Sequence, residues 1–120
     1  MLKVYAYQGC STCKSALKWL KARSIPHQEI PIRETPPTLP ELRAMLAAKT
    51  GDLRPLFNTS GQDYRALGLK DQLPTMSTDE ALEMLVANGN LVKRPFAIDE
   101  SAGVHLVGFK EAEWEKALKA

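Results

Sequence analysis

A three-layer α/β fold around a small mixed sheet is what this 120-residue sequence predicts, and three observations predict it. A strand-like segment at the N-terminus runs straight into an amphipathic helix. A short extended stretch follows that helix. The last third reads as two strands joined by a tight turn, then a final helix. Strand–helix–strand followed by hairpin–helix, with a helical block between the halves, is the thioredoxin-like (glutaredoxin-type) arrangement. The expectation is therefore one domain over 1–120, with a helical insertion at about 38–90.

The first strand is read from Leu2, Val4 and Ala6 alternating with Lys3, Tyr5 and Tyr7, ending at Gln8-Gly9. In the helix after it, Cys13, Ala16, Leu17 and Leu20 fall at i, i+3, i+4 and i+7, with Lys14, Lys18 and Lys21 on the other side. This puts Cys13 on the buried stripe and Cys10 at the helix mouth. The stretch from His27 to Ile32 is extended, and Pro31, which cannot donate to a ladder, marks it as an edge strand or an interrupted one. Pro36-Pro37 breaks the chain. Thr38 with Glu41 has capping-box spacing and opens a helix with Leu39, Leu42, Met45 and Leu46 inward, stopping near Gly51. Ser60 with Asp63 opens a short helix through Tyr64 and Leu67, which Gly68 stops. Ser77 with Glu80 forms another capping box, and Ala81, Leu82, Leu85 and Val86 are the buried face behind it. Three inserted helices are thus expected. The hairpin is read from Phe96–Ile98 and Val104–Val107, turning through Glu100-Ser101-Ala102-Gly103, and the last helix runs from about Glu111 with Trp114, Ala117 and Leu118 inward.

A chain of this length buries roughly two thirds of the surface it would expose unfolded, so it needs no disulfide staples. With 44% hydrophobic and 25% charged residues it is outside the disordered class. A net charge of +2, with both signs interspersed, gives no footprint for direct nucleic-acid binding or an anionic membrane. The start, Met1-Leu2-Lys3-Val4-Tyr5, has no signal-peptide pattern, and no apolar window approaches the roughly 18 residues of a membrane span. A cytoplasmic protein is expected, and in reducing cytosol a permanent disulfide is disfavoured.

Both cysteines stand in YQGCSTCKSALKWL, Tyr7 to Leu20. Cys-x-x-Cys can be a structural disulfide, half of a metal site, a redox pair, or two small core residues. Beside a βαβ pattern it is a redox signal. A helix N-terminus carries unpaired N–H groups and about half a positive charge, which stabilises an anion there. A free thiol with a pKa near 8.5 is only about 3% thiolate at pH 7, so such a position can activate Cys10. Lys14, one turn on, adds to the effect, and Cys13 is close enough to resolve an adduct on Cys10. The core-residue alternative fits Cys13 but leaves Cys10 at an exposed turn unexplained. Zinc needs four ligands, and the other nitrogen donors, His27 and His105, are widely separated, so no metal is expected. Both histidines read as structural, and Trp19 and Trp114 read as packing anchors.

The segments YQGCSTCKSALKWL, LRPLFNTSGQDYRALGL, KRPFAID and VGFKEAEW, in that order and spacing, carry a nearly full-length resemblance to the arsenate reductase-like family that also contains the Spx transcriptional regulators. The resemblance implies the same thioredoxin-like fold with a helical insertion. It also implies that Cys10 is the nucleophile beside an anion pocket made by the helix start, Ser11 and Thr12, and by Arg54 and Arg94. Guanidinium forks and helix-start N–H groups suit tetrahedral oxyanions. Taken alone, either arginine would read as a surface residue. Pro95 matches the family's proline facing the site, usually cis. Two departures stand out. Members that reduce arsenate generally lack a cysteine at the place of Cys13, and Lys110 stands where a third arginine is expected, keeping the charge without the planar fork.

The leading expectation is a thiol-dependent oxidoreductase acting on a disulfide or a small oxyanion such as arsenate, with no bound cofactor. An external glutathione/glutaredoxin or thioredoxin system would be the reductant. The alternative is a redox-sensing regulator like Spx, which the resemblance implies binds RNA polymerase; it ranks second because the sequence ends at Ala120, without the longer tail those regulators carry. A glutaredoxin-like protein handling glutathione mixed disulfides is the third.

Overall fold

The computed structural model describes residues 1–119 and shows a four-stranded sheet in the order β2-β1-β3-β4. β1 (Leu2–Ala6) leads through Cys10 into α1 (Ser11–Ala22), and β2 (His27–Pro31) returns parallel to β1 at the sheet edge. Pro31 is its last residue, where the missing donor costs nothing, and the next residue, Ile32, still donates to the Ala6 carbonyl at 3.0 Å. β3 (Phe96–Asp99) lies antiparallel between β1 and β4 (Val104–Val107), and α6 (Glu111–Leu118) follows.

Between β2 and β3 stand four α-helices rather than the expected three: α2 (Leu39–Ala48), α3 (Gln62–Ala66), α4 (Leu69–Gln72) and α5 (Thr78–Ala87). α4 is a single turn, too short for its apolar spacing to show as a period. Both expected capping boxes are present, Thr38 with Glu41 and Ser77 with Glu80. The third start signal is not used as expected. Gly61 caps α3 without a side chain, Ser60 is exposed, and Asp63 instead accepts a hydrogen bond from the Asn88 side-chain amide at 2.9 Å. A long-range partner has outcompeted the local cap.

The three layers follow from the two faces of the sheet. Leu2, Val4 and Ala6 join Ala97, Val104 and Leu106 against α1 and α6, in a core that includes Trp19 and Trp114. Tyr5, Phe96 and Ile98 face the other way, into a core with Leu42, Met45, Leu82 and Leu85 of the inserted helices. Tyr5 is therefore buried although the alternation of β1 placed it opposite the apolar set. β1 is an interior strand covered on both sides, so both faces bury.

On α1 the buried residues are Cys13, Ala16, Trp19 and Leu20, and Leu17 is half-buried. The stripe is rotated toward α6 because Trp19 meets Trp114 edge-on, at 6.2 Å between ring centroids, and Phe109 at 6.0 Å. Both tryptophans serve as anchors: Trp114 Nε1 donates to the Gly108 carbonyl and Trp19 Nε1 to Glu111. His105 pairs with Glu100, and His27 Nδ1 contacts the Ile25 carbonyl, so each histidine is tied into its own turn.

One polar junction joins the sheet to the insertion. Glu41 of α2 accepts from the Tyr5 hydroxyl at 2.6 Å and from Lys3 Nζ at 3.1 Å. Partial burial works against the Glu41 carboxylate, yet the donors from Tyr5, Thr38 and Lys3 outweigh it and hold its pKa below the usual carboxylate range. Burial first, and then Glu41 itself, push the Tyr5 hydroxyl above its ordinary value. No helix among the described residues is long and apolar enough to cross a membrane.

Candidate functional site

The loop after β1 delivers Cys10 to the N-cap position of α1. Its backbone is extended (φ −97°, ψ 116°), its N–H donates to the Tyr7 carbonyl at 3.0 Å, and its carbonyl accepts from Lys14 N–H at 3.1 Å. At an N-cap a serine or aspartate oxygen commonly takes the free N–H two or three residues on. Here the Cys10 sulfur does so, accepting from the Cys13 backbone N–H at 3.3 Å. The helix is capped by its own candidate nucleophile.

Both cysteines are free thiols, Cys10 half-buried and Cys13 buried. Their environments drive them apart. Desolvation opposes ionisation of Cys10, but hydrogen bonds from the Cys13 side chain and backbone, with Arg94 donating to and attracting the sulfur, outweigh it; its pKa lies below the ordinary thiol value. Cys13 is pushed up to about 12, first by burial, against a contact with the Tyr7 backbone that lowers it, and further by its bond to Cys10 and the charge there. The surroundings thus favour the anion on Cys10 over the anion on Cys13.

Arg94 lies two residues before β3, and its peptide bond to Pro95 is cis. Its guanidinium stands 5.0 Å from the centre of the Tyr7 ring, and that of Arg33 stands 4.7 Å from the same centre. The Tyr7 ring lies against Gly9 of the same loop, where a Cβ would fall 2.6 Å from it. Tyr7, Arg33 and Arg94 then form one wall of a polar cleft of about 250 Å³ completed by Asn58, Asp63 and Asn90, among others.

The expected anion-binding residues are only partly brought together. Arg94 is beside Cys10. Ser11 and Thr12 occupy the first two helical positions of α1 and are exposed, as is Lys14. Arg54 lines a different cavity, of about 310 Å³, with Asp52, Tyr64 and Lys70, and that cavity shares no wall residue with the cleft at Arg94. The reason is local. Arg54 opens a 3-10 turn anchored by the fully buried Leu56, which leaves Arg54 on the outward side. Lys110 caps α6 and is exposed. Nothing in the sequence marks Arg33 or Tyr7 as part of this site. Arg33 lies in a loop with no motif around it, and only the fold sets it against Tyr7.

A family profile described as the ArsC family matches residues 5–117. The chain is 44% identical to the uncharacterized protein YusI of Bacillus subtilis, over 96% of each chain. It is 31% identical to the global transcriptional regulator Spx of Enterococcus faecalis, over 98% of this chain and 86% of the regulator. Among solved structures it is similar to one from Streptococcus mutans described as a possible arsenate reductase, with TM-score 0.84 and 40% identity over 92% of each chain.

Proposed function

The chain belongs to the ArsC family, and from that premise we propose that it is a dithiol oxidoreductase in which Cys10 is the nucleophile and Cys13 the resolving thiol. The observation that carries this reading is the hydrogen-bonded pair at the start of α1, with Cys10 favoured as thiolate and Cys13 held as thiol.

The Cys10 thiolate attacks one sulfur of a substrate disulfide, forming a mixed disulfide and releasing the other half as a thiolate. The negative charge on Cys10 is then gone, and with it one of the influences that raised the Cys13 pKa; Arg94 still favours the Cys13 anion. Cys13 gives up its proton to the departing thiolate or to water, attacks Cys10 Sγ, breaks the bond to the substrate and releases the second thiol. Two electrons have passed from the protein to the substrate, and the protein is left with a Cys10–Cys13 disulfide. An external thiol system of the glutathione/glutaredoxin or thioredoxin kind returns them. No bound cofactor is needed. Arsenate is the other oxidised substrate of interest; of the three basic residues matched to its pocket, Arg94 contacts the Cys10 sulfur and Arg54 lines a separate cavity.

The test is NADPH oxidation coupled to thioredoxin or glutaredoxin reductase, with 2-hydroxyethyl disulfide or arsenate as substrate. Turnover is expected to vanish in Cys10→Ser, while Cys13→Ser stops at a mixed disulfide visible by mass spectrometry. Turnover with neither substrate, or turnover indifferent to Cys10→Ser, refutes the reading.

A second reading is favoured by the similarity to Spx: the same pair would act as a sensor, with RNA polymerase as partner. Pull-down with the C-terminal domain of the polymerase α-subunit separates the two, since an enzyme alone binds it in neither redox state.

A further inference from the structure

The cleft beside the cysteines has a charge pattern of its own. Two guanidiniums converge on the Tyr7 ring, Arg33 at 4.7 Å and Arg94 at 5.0 Å, and both line the same polar space. Like charges do not gather without compensation, and the carboxylate in that wall, Asp63, is already engaged by the Asn88 amide. The side-chain amides of Asn58 and Asn90 add neutral donors. Arg94 also faces the Cys10 sulfur, so the charge in this lining left for a ligand is that of Arg33, which suits one carboxylate better than a dianionic phosphate.

Arg33 is an exposed loop residue, but its backbone is held firmly. Ile32, its neighbour, is completely buried and donates its N–H to the Ala6 carbonyl at 3.0 Å. On the other side Gly89 presses so close that a Cβ there would fall 1.9 Å from the Ile32 carbonyl oxygen and 3.1 Å from Arg33 Cα. The backbone under Arg33 is therefore clamped between the end of β1 and the turn after α5. A fixed backbone, with the guanidinium over the Tyr7 ring, lowers part of the ordering cost of binding an anion.

We infer that Arg33 and Arg94, across the Tyr7 ring, form a recognition cleft for the carboxylate of a carboxylate-bearing disulfide whose sulfur reaches Cys10, and that Arg33, rather than Arg54, is the second arginine of the substrate site. This rests on the oxidoreductase reading above. Arg94 belongs to both halves of the site, facing the Cys10 sulfur and lining the cleft. A carboxylate bound there is joined to the reacting sulfur through a single side chain. Planar carboxylates match the guanidinium fork in two parallel hydrogen bonds.

The experiment compares the rate at which the reduced protein reacts with oxidised glutathione, which carries carboxylates, and with neutral 2-hydroxyethyl disulfide. The quantity read is the ratio of the two second-order rate constants. Arg33→Gln is expected to lower that ratio about tenfold, the worth of one charge-assisted hydrogen bond. Arg33→Lys should recover part of it, and raised ionic strength should lower the wild-type ratio. Arg54→Gln, in the separate cavity, should leave the ratio where it was. An unchanged ratio in Arg33→Gln, an equal loss toward both disulfides, or an equal effect of Arg54→Gln overturns the inference while leaving the oxidoreductase reading intact. Failure of the wild-type protein to react with either disulfide faster than Cys10→Ser refutes both.

Discussion

Cys10 carries two jobs on one atom: its sulfur closes the open end of α1 and is the group whose ionisation the site favours. The two are the same interaction, because a thiolate accepts the Cys13 N–H more strongly than a thiol does. Arg94 contributes the neighbouring positive charge. Replacing it with glutamine removes the charge and leaves a weaker donor, so the Cys10 pKa should rise. Measured as the rate of alkylation by iodoacetamide at pH 6, where the thiolate is the reacting species, Arg94→Gln should be roughly five- to tenfold slower than the wild type. The two rates should converge above pH 9, where the thiol ionises in both. A slower rate of the same factor at every pH would point to access rather than charge.

The elements around the site depend on one tight backbone passage. Gly89 stands at the end of the insertion, where the chain leaves α5 and passes against Ile32 and Arg33. Alanine there would put a methyl group 1.9 Å from a backbone oxygen, and the neighbour is main chain, not a side chain that can swing aside. Gly89→Ala is expected to cost about 2–3 kcal/mol, at the upper end for overpacking, in urea unfolding monitored by tryptophan fluorescence. A loss below about 0.5 kcal/mol would show that the Ile32–Arg33 segment gives way, and the clamp on Arg33 would then have to be abandoned.

Across the whole molecule, the Glu41 junction ties the interior strand β1 to the first inserted helix. Because the folded-state pKa of Glu41 is depressed, the unfolded chain takes up its proton first as the pH falls. The stability this group contributes is fully present above the unfolded carboxylate value, about pH 4.3, and is lost as the pH drops through the lower folded value. Glu41→Gln should lower stability at pH 7 by about 1–2 kcal/mol and flatten the acid limb of the stability curve, the two proteins converging in acid. Parallel curves over that range would mean that Glu41 does not carry the dependence.

Much of this molecule is legible in its sequence because the relevant forces are local. The first strand and helix, both capping boxes, the edge position of β2, the hairpin and the placement of Cys10 at a helix mouth follow from alternation, spacing and the chemistry of caps, each acting within a few residues. The tertiary structure decided what lies between distant segments. It buried Tyr5 under an insertion that strand alternation cannot foresee, turned α1 so that Trp19 rather than Leu17 meets α6, and drew Asp63 away from a cap to Asn88. It also set Arg33 beside Arg94 and left Arg54 in another cavity. Charged side chains on loops carry no period to read, so which of them meet is settled only when the sheet and its insertion close around them.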